Sequence, residues 1–511
     1  MDTRYDAVVV GSGLGGLAAA AKLAHEGLSV RLLERHIQPG GYATTFFRAP
    51  FEFEVSLHAL SGIGTPGNRG PLWPLLLELG ITERVEFRPI ESFYRTVADG
   101  FDLQVPCERQ ETLRVLCDAF PHERRGLTRV MDRLFAVRAE VQKMSANGGV
   151  PSVLGTITRY PMLAHAAAVP LGSVLHREIA DPLARLTLAQ TWGYYGLPPS
   201  QLSMLYFGAA TTSFLSFGGC YPVGKSQALS NAFVSAIERA GGTVSLGDGA
   251  RRIVVRAGRA EGVVTDAGEH IRAEVVISNA NPFTTIWDLV GPEHFSDDYR
   301  RRVTSSTPSL SIFTVYLGLS RTVSELGIVD HETFVNGTVD MDQQYAAAFR
   351  LAPPDFFLVT GYNLTDPGFS PPGTAVLAIS CLVDGDTWAA VPPGEYAELK
   401  QRWTTSLVEQ ASRRFPGLRD CVQVAVAATP ITMMRYTGNT AGAIYGFAAT
   451  PAQNPAFRLE RKTPIEGLWL AGAWTQPGGG YEPCIGSGYD TATAVLDGLG
   501  IHANNASLAT G

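Results

Sequence analysis

Gly11, Gly13 and Gly16 form a G-x-G-x-x-G pattern between a β-branched run, Tyr5–Val10, and an alanine-rich stretch of helical character, Gly15–Glu26. A second strand, Ser29–Glu34, follows and ends on a carboxylate. The glycines let the backbone turn sharply and approach a pyrophosphate at a helix N-terminus, where unsatisfied N–H groups and the helix dipole favour negative charge. Glu34 can accept both hydroxyls of an adenosine ribose. For the glycines alone, a turn without function is the alternative. Strand, helix and acid in this order predict a βαβ unit that binds a dinucleotide through Gly11, Ser12, Gly13, Gly15, Gly16, Glu34 and Arg35. The pattern does not separate NAD from FAD.

Two further features favour FAD. Gly40-Gly41-Tyr42-Ala43-Thr44 follows the second strand closely, where an extended flavin needs close backbone approach and small polar donors. Near the other end of the chain, Leu468-Trp469-Leu470-Ala471-Gly472-Ala473, then Pro477-Gly478-Gly479-Gly480, then Gly486-Ser487-Gly488 read as a second Gly-rich strand-to-helix turn. A helix N-terminus there stabilises negative charge on a reduced isoalloxazine ring. Gly472, Ala473, Gly480, Gly486 and Ser487 are therefore candidate cofactor contacts. A chain that returns at its end to its first domain suits a long bound flavin.

The intervening chain predicts an α/β protein with a discontinuous Rossmann-type FAD-binding domain and a second, substrate-binding domain of mixed sheet plus helical cap. Leu127, Val130, Met131, Leu134 and Phe135 recur at helical spacing, and the region onward to about Pro199 reads as mostly helical. Phe233–Gly241 is a further helix; Ala250–Val255, Ala260–Val264 and Ala273–Ser278 alternate as strands. Ser311–Leu319, Phe357–Tyr362 and Ala375–Leu382 are the clearest strands of a second sheet. The division expected is residues 1–100, 220–290 and 455–500 for the FAD-binding domain, 100–220 and 290–455 for the substrate domain, and a disordered tail, 501–511.

Several segments together resemble the phytoene desaturase, carotenoid isomerase and retinol saturase group of FAD-dependent enzymes. They are Gly11–Gly16, Glu34-Arg35, Pro39-Gly40-Gly41, Phe53–His58, Tyr221-Pro222-Val223-Gly224, Arg435-Tyr436-Thr437-Gly438-Asn439 and Gly467–Gly480. The similarity runs through nearly the whole chain. It implies non-covalent FAD, a long hydrophobic polyene or isoprenoid substrate, and access to that substrate from a membrane surface. It also implies that the backbone of Ala250 contacts the adenine, at a position usually held by valine. Lys225 stands where much of the group has a second glycine, and Ala473 where many flavoproteins of this fold have an acid.

Candidate catalytic residues are His58, Tyr481 and Glu482. An imidazole titrates near neutral pH, so His58 is either a proton donor or acceptor, or a packing histidine. Tyr481 is expected to flank a substrate and Glu482 to act as a base, the alternative for Glu482 being an ordinary exposed carboxylate. Arg48 is a candidate for orienting a polar head group, and Met433, Met434 and Tyr436 for lining a lipid tunnel, with solvated charge and core packing as the alternatives. A redox-neutral polyene isomerase and an amine oxidase-like enzyme, the latter with Trp474 and Tyr481 as an aromatic pair, are the rival functions.

The net charge of −7 with no basic block argues against nucleic acid as a partner. Six cysteines without a C-x-x-C pair suggest neither a metal site nor a redox dithiol, so no metal is expected and the thiols read as reduced and cytoplasmic. Acidic residues precede the apolar stretch Ala7–Ala21, which therefore does not read as a secretion signal. The longest other apolar stretch, around Met162 to Leu175, contains His165, Pro170 and Gly172 and falls short of the roughly 20 unbroken apolar residues that span a bilayer, while the apolar helical cap between about Val150 and Leu215 suits peripheral contact at the inner face of a membrane. A hydrophobic small molecule is the expected partner.

Overall fold

A computed structural model describes residues 3–146, 153–453 and 458–501. Five parallel strands run in the order Thr243–Leu246, Val30–Glu34, Thr3–Val10, His270–Ser278 and Leu468–Leu470. The second half of strand Thr3–Val10, Ala7–Val10, is apolar on both faces because both are covered: Ala7 and Val9 pack into one core, Val8 and Val10 into another. An antiparallel hairpin, Ala250–Arg256 and Arg259–Thr265, joins the lower half of His270–Ser278, while Leu468–Leu470 takes the upper half. The last of the described strands thus completes the sheet that the first one began.

The helix Leu14–His25 lies between this sheet and the C-terminal helix Tyr481–Gly498. Its run Leu17–Ala21 is buried throughout, and short side chains are what permit so close an approach from both sides. The C-terminal helix corrects the expected start at Gly486-Ser487-Gly488. It opens at Tyr481, directly after Gly480, with Pro483 in the first turn, where a missing N–H costs nothing. Gly486 and Ser487 are consequently interior helix positions.

A second, seven-stranded sheet runs Val422–Ala428, Ser311–Leu319, Ala375–Val383, Phe356–Gly361, Glu332–Asn336, Ser92–Ala98 and Phe101–Pro106. Period-two alternation sorts its faces. Phe313, Val315 and Leu317 pack with Trp388 and Trp403 against the helix Pro393–Arg414, whereas Ile312 and Thr314 look into a cavity and Tyr316 packs with the first core. Strand Ser92–Ala98 pairs here with Glu332–Asn336, although the expected division grouped residues up to 100 with the nucleotide-binding part.

Helices between Arg109 and Phe217 form the cap, which extends on both sides of the stretch from Leu127 to about Pro199 that the 3.6-residue periodicity predicted as helical. Its last helix, Met204–Phe217, owes its apolar character to the core: Met204, Leu205, Phe207, Phe214 and Leu215 are all buried. Among the described residues no helix is long and apolar enough to cross a membrane. All six cysteines are free. The tail expected to be disordered lies, from residue 502 onward, outside the described residues.

Candidate active site

The two glycine turns, far apart in sequence, touch. A Cβ on Gly15 would lie 2.7 Å from the Gly472 Cα, and one on Gly488 would lie 2.0 Å from the Gly15 carbonyl oxygen. The Gly472 N–H donates to Ser487 Oγ at 3.1 Å, which ties the second turn to the C-terminal helix. Gly16 has its own reason to be glycine: its Cβ would fall 2.0 Å from the Gly11 carbonyl oxygen, closing strand onto helix. Asn279, which sequence reasoning missed, sits at the centre, its side-chain amide within 2.6 Å of where Cβ atoms on Gly13 and Gly15 would stand.

These turns floor a cavity of about 850 Å³, within the range of roughly 300–1,000 Å³ common for small-molecule sites. At one end lie Gly11, Gly13, Gly15, Glu34, Arg35 and Ala250. The Glu34 carboxylate accepts from the Ser12 N–H at 2.8 Å, the Ser12 hydroxyl at 2.7 Å and the His36 N–H at 2.8 Å, so its position is fixed from the protein side. Arg35 is held against Gly438, where a Cβ would meet the guanidinium at 2.8 Å. That contact gives the Arg435–Asn439 segment a reason for its glycine.

Along the middle lie Gly40, Gly41, Tyr42, Ala43, Ala473 and Gly480. Thr44 does not line the cavity; its hydroxyl bonds Gln227 at 2.5 Å. Tyr42 donates to the Ala443 carbonyl at 3.1 Å, and burial pushes its phenol up to about 12. Ala473 faces the cavity, and its carbonyl accepts from Arg458 at 3.0 Å. Gly486 reaches the wall from inside its helix, while Ser12, Gly16, Gly472 and Ser487 support the floor from behind.

The far end brings together all three catalytic candidates. His58 bonds Thr360 Oγ1 through Nδ1 at 2.9 Å; burial, with a contribution from nearby His331, lowers its pKa to about 3, so the imidazole is neutral. The Tyr481 hydroxyl lies 2.9 Å from Ser226 Oγ and 3.2 Å from Ser56 Oγ. Behind it the buried Glu54 carboxyl accepts from Tyr221 at 2.7 Å and from the Ser226 N–H at 2.9 Å, so one network links the Phe53–His58 and Tyr221–Gly224 segments. Glu482 faces the cavity and is not an ordinary surface carboxylate. It accepts from Ser61 and, at 3.0 Å, from Ser213, and burial raises its pKa.

Several other residues stand elsewhere or were not foreseen. Arg48 is exposed and bonds the Phe47 carbonyl; Met433 and Tyr436 line the cavity. Trp474 contacts Phe283 and Phe447 edge-on and donates to Asn439 at 3.1 Å, so its ring is engaged apart from the Tyr481 network. Lys225 adopts φ +66°, the left-handed region, which explains why glycine is usual there; its Nζ pairs with Glu52 at 3.0 Å. Tyr194, Tyr195, Tyr206 and Tyr445 line the far end without any local sequence signal.

The sequence profile of the family described as "Flavin containing amine oxidoreductase" matches residues 14–496. The chain belongs to this family. Among similar proteins, the all-trans-retinol 13,14-reductase of Rattus norvegicus is 26% identical over 505 residues, covering 92% of this chain and 82% of that protein. Prolycopene isomerase 1, chloroplastic, of an Oncidium hybrid cultivar is 25% identical over 515 residues, covering 97% and 84%. In solved structures the same fold recurs in putrescine oxidase (TM-score 0.66, 15% identity, 97% of this chain and 100% of that one) and in cyclohexylamine oxidase from Brevibacterium oxydans (TM-score 0.63, 16% identity, 97% and 99%).

As a flavin-containing oxidoreductase the protein uses FAD. Its site fits that cofactor: the floor is backbone that a Cβ would fill, an acid is fixed at one end, and a helix N-terminus with Gly480 at its cap opens onto the cavity.

Proposed function

We propose that this oxidoreductase forms, reduces or rearranges carbon–carbon double bonds in a long hydrophobic polyene or isoprenoid. The observation that carries this reading is the apolar far half of the cavity, where Leu57, Leu60, Leu72, Leu75, Ala210 and Phe214 form the wall. Apolar surface of this kind stabilises a hydrocarbon chain by about 25 cal/mol for each Å² removed from water. Retinol and prolycopene, the compounds in the relatives' names, are conjugated polyenes.

In this reading Glu34 holds the adenosine ribose, the Gly11–Gly16 turn the pyrophosphate, Ala250 the adenine, and Gly40–Ala43 with Ala473 and Gly480 the flavin half. Bound FAD supplies hydride acceptance and donation at N5. The cavity walls position the substrate and exclude water from it. Loss of hydride from a polyene leaves a delocalised allylic cation that readily gives up a proton, so no strong base is needed at this end. Tyr481, fixed by Ser56 and Ser226, flanks the chain, and Glu482, whose pKa burial raises, faces the same end.

Incubation of the FAD-loaded enzyme with all-trans-retinol and with a poly-cis carotene, followed by mass spectrometry, tests the reading. A product two hydrogens heavier or lighter is the expected result. Unchanged mass with a shifted retention time supports the second reading, a redox-neutral isomerase, which the similarity to prolycopene isomerase over 97% of the chain favours. Inertness toward both compounds, with peroxide released on adding amines, overturns it in favour of an amine oxidase. Cytoplasmic placement with peripheral membrane contact belongs to the same proposal, since such substrates partition into lipid. Protein left wholly in the aqueous fraction after flotation with neutral liposomes rejects the contact.

A further inference from the structure

Behind the far wall lies a polar pair that the scheme above does not use. Glu332, on the strand Glu332–Asn336, is 1% exposed. Its Oε2 accepts a short hydrogen bond from the Tyr194 hydroxyl, and its Oε1, also buried, has no partner. Tyr194 is itself part of the cavity wall. Its ring stacks on the His58 imidazole, centroids 6.2 Å apart and planes 7° from parallel. His58 in turn bonds Thr360, which stands directly opposite Glu332 on the neighbouring strand. The four residues close into one cluster between sheet and cavity.

A carboxylate with a bare, buried oxygen is strongly disfavoured, so this group rests as the neutral acid. Burial pushes Glu332 up to about 8, against which the Tyr194 hydrogen bond acts only in part. Tyr194, Tyr362, Tyr445 and Cys107 are the titratable groups that interact with it, and burial holds all four neutral at pH 7. His58, stacked on Tyr194, and His331, the preceding residue, are also neutral. No charge among these offsets an ionised Glu332. Once protonated on Oε2, the carboxyl can donate to the Tyr194 oxygen, which frees the phenolic hydrogen to turn toward the cavity.

We propose that Glu332 and Tyr194 form a proton relay through the cavity wall, in which Tyr194 exchanges one proton per turnover with the substrate carbon chain and Glu332 restores it. The proposal rests on the polyene reading of the site. In the direction of reduction, the alkene π bond breaks and one carbon receives hydride from reduced flavin, which supplies both electrons. The adjacent carbon takes the Tyr194 hydroxyl proton. The Glu332 proton moves to the Tyr194 oxygen, and the resulting carboxylate recovers a proton from water before the next cycle. Desaturation runs the same steps backwards. Tyr194 touches substrate and is the catalytic residue; Glu332 acts through it as a positioning residue that also stores the proton.

The first test needs no substrate. Infrared difference spectra of the FAD-loaded full chain between pH 6 and pH 10, wild type minus Glu332→Gln, are expected to show a protonated carboxylic acid band that vanishes with a midpoint near 8. The absence of such a band overturns the relay whatever the substrate is. The second test follows reoxidation of reduced flavin by all-trans-retinol. In wild type the rate is expected to fall about tenfold per pH unit above the midpoint, whereas Glu332→Gln is about 100-fold slower and flat across that range. Glu332→Asp recovers part of both the rate and the pH dependence. Tyr194→Phe, which keeps the ring and removes only the hydroxyl, gives the same loss and replaces Glu332→Gln if that variant does not fold. A variant with unchanged rate, or a slow one with the wild-type pH profile, overturns the proposal. Wild-type inertness toward retinol, with the infrared band present, counts against the polyene reading and leaves the stored proton intact.

Discussion

Gly488→Ala is expected to give a destabilised protein that retains little FAD. The added Cβ would stand 2.0 Å from the Gly15 carbonyl oxygen, 2.8 Å from its carbonyl carbon and 3.0 Å from the Ala19 nitrogen. All three are backbone atoms, so no side chain can swing aside, and relief requires the C-terminal helix to move off the first helix. That movement also parts Gly15 from Gly472, whose contact is the floor of the cavity. Overpacking of this kind costs about 1–3 kcal/mol and more where backbone must shift. Gly498→Ala in the same helix is the control. Its Cβ meets nothing within 4 Å, and alanine is expected to raise stability by about 0.5–1 kcal/mol. Thermal melting and the ratio of flavin to protein absorbance read both variants. A Gly488→Ala protein with wild-type melting and one FAD per chain sinks the idea that the two turns must touch.

The second large effect concerns pH. His331 Nε2 lies 2.8 Å from the His58 carbonyl oxygen, which can only accept, so the proton sits on Nε2 and Nδ1 accepts from Thr365 at 2.9 Å. Burial lowers His331 to about 4 and, with repulsion from His331, His58 to about 3. Both folded-state values lie below the unfolded 6.5, so the stability these groups confer is fully present above pH 6.5 and is lost as pH falls toward their folded values. Glu332 runs the other way. Its value is raised from 4.5 to about 8, so its contribution is present at low pH and is lost as pH rises through that window. The raw pH profile mixes these opposing slopes, and the informative quantity is a difference between proteins. His331→Gln, whose amide can still donate to the His58 carbonyl, is expected to gain about 2 kcal/mol relative to wild type between pH 7.5 and pH 5, at about 1.36 kcal/mol per unit below 6.5. Urea unfolding at the two pH values measures it. Parallel behaviour of the two proteins would show that the imidazole titrates alike folded and unfolded.

Much of the Rossmann-type βαβ start was legible because its physics is local. A strand, three glycines, a helix and an acid lie within the first 34 residues, and each constrains the next. The meeting of the two turns was also legible, since two Gly-rich strand-to-helix junctions in one chain call for a shared ligand. The start of the last helix was not. Gly486-Ser487-Gly488 looks like a turn from its residues, yet Gly488 is required by a neighbouring helix, a tertiary contact without a sequence period. The far end was least legible. Tyr194 comes from the short turn Gln190–Tyr195 and Glu332 from a strand 138 residues later, so nothing in either segment announces the other. Glu482 was found as a residue, but its burial follows from Ser61 and Ser213, on a loop and on the cap.

The strand Leu468–Leu470 and the helix Tyr481–Gly498 finish a sheet whose first strand is Thr3–Val10. During synthesis the amino-terminal segment therefore emerges long before the partners that close over it, while domains otherwise tend to fold in the order in which they are made. Every residue up to Leu468 leaves the ribosome ahead of the cofactor site's completion. Flavin can accordingly be held only once the strand Leu468–Leu470 and the helix Tyr481–Gly498 have been made, and any premature stop before that helix discards the whole catalyst.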